Sequence, residues 1–296
     1  MISICIPTYN TDCSKLLKIL HNQIQDIECN IEVIVLEDGS TTFVHNNANA
    51  CEKFGFIHVK NKKNLGRAES RVELAKKSNH SWLLFIDADM KPSTDNFILN
   101  YYREAINKRP YDVIVGGYSY KNIRRMFSLR LRYGKAREEV SSQIRNNKPF
   151  RHLFFGNIMI KKDVFMSIFS KYTNPVYGED LFLSAMLKAK KYTVLHFNNN
   201  TIHLGLEKNR EFIQKIEYSG FTMATLHSTN ELNLNHIKLV QFYEYINRYK
   251  LSKLLLFALR FFLPIYKYTL VWLGGPLVIV DLYRLFHFLK TIENEN

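Results

Sequence analysis

Short apolar runs alternate with amphipathic stretches through the first two hundred residues. Ile2–Ile6 is a run of strand length, closed by the polar turn Pro7-Thr8-Tyr9-Asn10. Ser14 or Asp12 can cap a helix reaching about Gln25. Ile31–Leu36 is a second strand, ending in Glu37-Asp38-Gly39-Ser40, and a polar helix follows. Phe56–Val59, Trp82–Ile86 and Val113–Gly116 read as further strands, with helices over Arg67–Ser78 and Asp95–Asn107. This order predicts an α/β fold: a mostly parallel sheet with helices on both faces and ligands beyond the carboxyl ends of its strands.

From Tyr118 to about Arg151 the rhythm lapses into a basic, partly helical insertion. Asn157–Ile160 resumes as a strand, and Gly178-Glu179-Asp180 opens an amphipathic helix. Thr193–Phe197 and Thr201–Leu204 read as short strands flanking the turn Asn198-Asn199-Asn200. Beyond Leu206 the pattern is helical throughout: Glu207–Leu226, then Ile237–Phe262 and Tyr266–Leu289, with breaks at Pro264 and Gly274-Gly275-Pro276. Two regions follow, residues 1–206 and a C-terminal helical appendage, 207–296. The appendage's longest uncharged run, Tyr268–Val280, has 13 residues, fewer than the roughly 20 that span a bilayer. Its Leu, Phe, Tyr and Trp272 between Lys and Arg instead suit an interfacial helix on an anionic membrane surface; a packed hairpin or dimer interface is the other reading.

Composition sharpens this picture at two points. The formal net charge is +14, and it is concentrated. Tyr118–Arg151 holds ten Lys and Arg against Glu138 and Glu139, and Ile237–Ile292 holds eight against Glu244 and Asp281. Such patches suit anionic partners. No aromatic-basic RNA motif or zinc-finger spacing is visible, so nucleic acid is not expected. Cys5, Cys13, Cys29 and Cys51 contain no Cys-x-x-Cys pair and read as reduced packing residues of a cytosolic protein. The opening residues lack the basic start and long apolar run of a signal peptide.

The candidate chemistry lies at strand ends. Trp82–Ile86 stops in Asp87-Ala88-Asp89, two carboxylates spaced i, i+2. A buried strand ending in two acids needs solvent, donors or a cation there. An Asp-rich turn satisfies that need, and so does a divalent metal carrying a phosphorylated ligand.

Five motifs in order resemble those of family 2 glycosyltransferases, over roughly residues 2–205. Ile4-Cys5-Ile6-Pro7-Thr8-Tyr9-Asn10 resembles the opening strand. Val33-Ile34-Val35-Leu36-Glu37-Asp38-Gly39-Ser40 resembles the second, which usually ends Asp-Asp-Gly-Ser. Asn64-Leu65-Gly66 with Arg71 resembles Asn-x-Gly-x-x-x-Ala-Arg-Asn, Asp87-Ala88-Asp89 the Asp-x-Asp motif, and Tyr177-Gly178-Glu179-Asp180 the later Glu-Asp motif. Glu37, Ser70 and Val72 depart from the pattern without removing the arginine or a carboxylate.

The resemblance implies a glycosyltransferase A type, Rossmann-like fold and inverting transfer from a nucleotide diphosphate sugar to a glycan or lipid-linked acceptor. It implies Pro7, Thr8, Tyr9, Asp38 and Gly66 along the nucleotide, and Arg71 toward the diphosphate. It places Asp87 near the ribose or a metal, and Asp89 on a Mn²⁺ or Mg²⁺ ion. His203 stands where many relatives place a further metal ligand; a structural histidine is the alternative. Asp180, beside Glu179, is implied as general base, with helix capping as its plainer role. Asn157 would hydrogen-bond an acceptor sugar or pair with backbone. Arg130, Arg132, Lys135 and Arg137 would face a phosphorylated acceptor or form a solvated basic helix. A weaker likeness of Asp281-Leu282-Tyr283-Arg284 and His203-Leu204-Gly205-Leu206-Glu207 to bacterial surface-polysaccharide enzymes implies a place on the inner face of the plasma membrane. Two rival readings exist. A nucleotidyltransferase would usually carry a Gly-rich basic loop after the first strand, and Pro7-Thr8-Tyr9-Asn10-Thr11 has none. An inactive membrane scaffold would not need Asp87, Asp89 and Asp180 together.

Overall fold

In a computed structural model, the structure describes residues 1–25, 27–28, 30–106, 111–121, 128–170, 178–229 and 234–295. Contacts gather the chain into two units that interleave in sequence. One comprises residues 1–121, 138–175 and 192–205; the other comprises 122–137, 176–191 and 206–296. The second unit therefore takes segments from inside the α/β region as well as the C-terminal helices.

In the first unit, β1 (Ile2–Thr8), α1 (Ser14–Ile24), β2 (Ile31–Asp38), α2 (Val44–Phe54), β3 (Ile57–Asn61), α3 (Arg67–Lys77) and β4 (Trp82–Phe85) follow the alternation predicted from the sequence. There follow β5 (Met90–Pro92), α4 (Phe97–Ile106), β6 (Val113–Val115) and β7 (Tyr118–Ser119). The second unit's α5 (Leu129–Arg137) comes next in the chain, and the first unit resumes with α6 (Ser142–Asn146). A 3₁₀ turn at Phe155–Asn157 leads into β8 (Ile158–Lys161) and α7 (Lys162–Phe169). After α8 (Glu179–Ala189), again of the second unit, β9 (Val194–His196) and β10 (Thr201–His203) complete the first.

Seven strands form one sheet in the order β3-β2-β1-β4-β8-β6-β9. All its pairings are parallel except those of β8, which runs against both neighbours. β1 and β4 are buried almost throughout, as the continuous apolar runs of a sheet covered on both faces require. Because β1 lies between β2 and β4, the carboxyl ends of all three strands come to one edge. In the second, three-stranded sheet, β5-β10-β7, β10 answers to the expected strand at Thr201–Leu204, whereas the sequence did not signal β5 or β7, which are three and two residues long.

The second unit is helical: α5, α8, α9 (Asn209–Ser228), α10 (Lys238–Arg248), α11 (Ser252–Trp272) and α12 (Leu277–Glu295). Here the structure corrects the reading. The expected break at Pro264 does not occur, because Pro264 lies inside α11. The expected break at Gly274-Gly275-Pro276 does occur, with Gly274 left-handed at φ of 60°, and the other turn lies at Lys250, also left-handed at φ of 58°. The amides of Tyr249, Lys250 and Leu251 close α10 on Ile246 and Asn247, and those of Leu273 and Gly275 close α11 on Thr269. α11 is long and apolar enough to cross a membrane by length and composition. Counting only uncharged residues undervalued it, because Arg260 and Lys267 interrupt an otherwise continuous apolar helix.

Three of the expected packing cysteines, Cys5, Cys13 and Cys51, are free and buried, and burial pushes their thiols well up. Cys29, Asn107 and Tyr177 lie outside the described residues.

Candidate active site

Parallel pairing sets the first layer of the site. β1 delivers Thr8, β2 delivers Glu37 and Asp38, and the residues just past β4 are Ile86-Asp87-Ala88-Asp89. The loops after β1 and β2 are laced together by Asn10. Its Oδ1 accepts from the backbone and hydroxyls of Thr41 and Thr42, and its backbone N–H donates to Ser40 Oγ. Thr8 is buried, and its hydroxyl donates to the Thr11 carbonyl; Tyr9 is exposed. Pro7, just before Thr8, is half-buried.

Asp38 is the anchor of the next loop. Its Oδ1 accepts from Asn61 Nδ2 and the Leu65 amide, and its Oδ2 accepts from the Gly66 amide, all at 2.9 Å. Gly66 has φ of 91°, which favours glycine, and it immediately precedes α3. Asp38 thus fixes where α3 starts. A carboxylate has about four acceptor positions. Three of those on Asp38 are occupied within the protein.

α3 carries Arg71, which is 3% exposed. Its Nη2 donates to Asp87 Oδ1 at 2.8 Å, and its guanidinium lies 4.5 Å from the centre of the Phe155 ring. The arginine therefore holds Asp87 by a charge-assisted bond while stacked on an aromatic face.

β10 supplies the partner of Asp89. It runs antiparallel to β5, with His203 opposite Met90, and the Leu204 amide donates to the Asp89 carbonyl. This register sets His203 Nε2 3.2 Å from Asp89 Oδ2. Burial pushes the Asp89 carboxyl up, but the bond and charge of His203, with Arg67, bring it below its ordinary value. The Tyr118 and Tyr120 rings flank the imidazole. Two glycines keep space beside the acids. A Cβ at Gly205 would collide with the Asp89 carboxylate, and one at Gly156 would press on Asp87 Oδ2 and the Tyr118 hydroxyl.

These residues fit a hard divalent cation that arrives with a phosphorylated ligand. One carboxylate, one imidazole and a glycine-lined approach leave most coordination positions to diphosphate oxygens and water. Among the described residues, no group of three or more His, Cys, Asp and Glu could hold a metal ion without such a ligand.

Asn157 takes the backbone-pairing role of its two alternatives. It is fully buried, accepts from the Tyr101 hydroxyl at 2.7 Å, and donates to the Gly117 and Asn199 carbonyls. It ties the 3₁₀ turn to the loops after β6 and β9. Arg145, unmarked in the sequence, is also fully buried and donates to the carbonyls of Val115, Gly116, Val140 and Phe197.

The second unit holds the Glu-Asp pair. Glu179 and Asp180 begin α8, with Glu179 buried and Asp180 half-buried. Glu179 Oε2 accepts from the Gly178 amide. Gly178 has φ of 141°, and any Cβ there would press on Thr222 of α9. In the same unit, most of the basic helix is engaged internally. Arg130 is buried beside Glu207, Arg132 donates to the Gly275 carbonyl, and Arg137 pairs with Asp281 at 2.8 Å.

Residues 3–169 match the family described as Glycosyl transferase family 2. The chain belongs to glycosyl transferase family 2. A curated relative from Haemophilus influenzae, described as an uncharacterized glycosyltransferase, is 35% identical over 89 residues, which is 30% of this chain and 29% of that protein. The chain thus matches under a third of that relative's length. Two solved structures share the fold. A mannosyltransferase from Pyrobaculum calidifontis in complex with GDP-Man and Mn²⁺ is 14% identical, with a TM-score of 0.57, covering 100% of this chain and 86% of that one. Glucosyl-3-phosphoglycerate synthase from Mycobacterium tuberculosis, in complex with Mn²⁺, UDP and glucosyl-3-phosphoglycerate, is 17% identical, with a TM-score of 0.54, covering 77% and 79%. The glycosyltransferase A fold expected from the motifs is the fold of this chain.

Proposed function

We propose that the protein transfers a sugar from a nucleotide diphosphate sugar to a hydroxyl of a glycan or lipid-linked acceptor, with inversion, in surface polysaccharide synthesis. The observation that carries the reading is the constellation at the β4 end: Asp87 held by Arg71, both within the matched family region, and Asp89 of that region beside His203, which follows it, across the β5–β10 pair. Asp89 and His203 would hold a Mn²⁺ or Mg²⁺ ion, which supplies charge neutralisation for the departing diphosphate when bound. Arg71 holds Asp87 in place by its 2.8 Å bond, on the side assigned to the nucleotide. Asp38 fixes the Asn64–Gly66 turn and has one acceptor position left for the base. Thr8 and Tyr9 border the nucleotide with Pro7. Single displacement needs a carboxylate to take the acceptor proton, and Asp180, backed by Glu179, fills that role. The basic, aromatic C-terminal helices support a place at the inner face of the plasma membrane.

The test is a panel of nucleotide sugars with Mn²⁺, headed by UDP- and GDP-sugars because the two solved relatives hold those nucleotides. Turnover of one donor is expected. Asp180→Asn should then lose about 10²–10⁴-fold in turnover with donor binding kept; near-normal transfer would remove Asp180 from the mechanism.

A further inference from the structure

The outer face of α11 carries a continuous apolar stripe. Leu254, Phe257, Phe261, Ile265, Tyr268 and Trp272 recur at three- and four-residue steps, and each is between 59% and 74% exposed. The opposite face is covered within the same unit: Leu259 and Leu270 are buried, and Leu255, Leu256, Leu263 and Tyr266 pack on the helical core. A soluble surface helix would present polar residues on that outer face. An exposed apolar face of this length marks an interaction site.

The charge pattern says what covers it. α11 has no acidic residue. Its three cations, Lys253, Arg260 and Lys267, recur every seven residues and are all exposed. At 100° per residue they form one row about a quarter turn from the apolar stripe. Lys253 also lies 3.5 Å from Glu293. α10 repeats the theme, with Phe242 and Tyr245 exposed, Tyr249 exposed just past its end, and Arg248 beside them. Tyr and Trp at the edge of an apolar face suit the boundary between headgroups and acyl chains.

We infer that α11 lies in the plane of an anionic bilayer surface, with its Leu254–Trp272 stripe in the acyl boundary and Lys253, Arg260 and Lys267 at the phosphates. The row of cations decides between lying and crossing. In a helix lying flat, all three sit at headgroup depth, where their long stems suit them. In a helix crossing the bilayer, the same row occupies three depths and carries Arg260 toward the hydrocarbon centre. The covered inner face fits the flat arrangement too, because it leaves one side of the helix for lipid. This deepens the membrane part of the proposed function and stands on residues apart from the sugar chemistry.

The test uses the full chain without nucleotide or metal, so its outcome is separate from that of sugar transfer. Vesicles of phosphatidylcholine, with and without phosphatidylglycerol, are sedimented with the protein. Binding is expected to the anionic vesicles and to weaken with salt. Removing the row by Lys253→Gln, Arg260→Gln and Lys267→Gln should weaken it on the order of a hundredfold. Phe257→Ser with Phe261→Ser should weaken it by a similar factor, roughly, while Phe257→Leu with Phe261→Leu retains it. Circular dichroism confirms that each variant is folded. Depth is read from a single tryptophan at 257, 261 or 268, with Trp82→Phe and Trp272→Phe, quenched by lipids brominated at known positions. Equal, shallow depths support the inference. Depths that change progressively along the helix mark a crossing and overturn it. Absent or charge-independent vesicle binding overturns it as well, as does a concentration-dependent dimer abolished by the Phe257→Ser, Phe261→Ser pair.

Discussion

Asp89 and His196 show how one bond can set a side chain's behaviour. Asp89 is a ligand candidate because β10 brings His203 to it, with Gly205 leaving the approach open. Asp89→Ala should abolish Mn²⁺-dependent nucleotide binding; calorimetry showing unchanged affinity would refute the assignment. His196 is a structural counterpart. Its Nε2 lies 2.7 Å from the Pro149 carbonyl and its Nδ1 3.0 Å from Arg145 Nη1. Arg145 only donates and the carbonyl only accepts, so the ring is neutral, protonated at Nε2. Burial pushes His196 down to about 4, opposed by the Pro149 bond and reinforced by Arg145; burial and the neighbouring arginines do the same to His152. Below pH 6.5 the unfolded chain takes up a proton that the folded one refuses. Stability is therefore whole above pH 6.5 and falls as the pH drops toward 4, by roughly 3 kcal/mol for His196. Urea midpoints measured across that window should decline with acid, and less steeply in His196→Gln.

At the scale of elements, apolar runs located β1, β2 and β4 within a residue or two, because each packs continuous apolar positions into one core. β5 and β7 of the small sheet escaped notice because they are too short to show a period. Asn157 was legible as a polar residue heading a strand, but not as the amide joining three loops, since its partners lie 40 to 56 residues away. The helix break was misplaced for a local reason. Pro264 is a breaker by rule, yet α11 continues through it; Lys250 is not a breaker by rule, yet it holds φ of 58°. Lys250 is exposed and its left-handed backbone costs a residue with a Cβ. Lys250→Gly should therefore raise stability by roughly 1 kcal/mol in chemical denaturation.

For the whole molecule, charge is the dominant property. At +14 and a sequence pI of about 9.5, the folded chain repels itself at neutral pH. Salt at roughly 0.1 M shortens the reach of that repulsion to about 10 Å. The melting temperature at pH 7 should rise on going from low to moderate ionic strength, and that rise should vanish near pH 9.5. Scanning calorimetry at the two pH values checks both. The excess was plain from composition. That Arg130, Arg137 and Arg145 are already engaged with Glu207, Asp281 and backbone carbonyls was not, because those contacts join distant parts of the chain.

The interleaving of the two units has a consequence for biosynthesis. On a ribosome, α5 and α8 emerge well before α9 to α12, the helices of their own unit. Leu129 packs in a cluster with Phe212, Ile213 and Tyr283, and Ala185 in one with Met223 and Leu289. At synthesis rates of roughly 5–20 residues per second, these apolar surfaces wait on the order of 5–20 s for their partners. During that interval the nascent chain presents unsatisfied grease to the cytosol, so its yield in a cell should depend on trigger-type chaperones more than its final stability suggests.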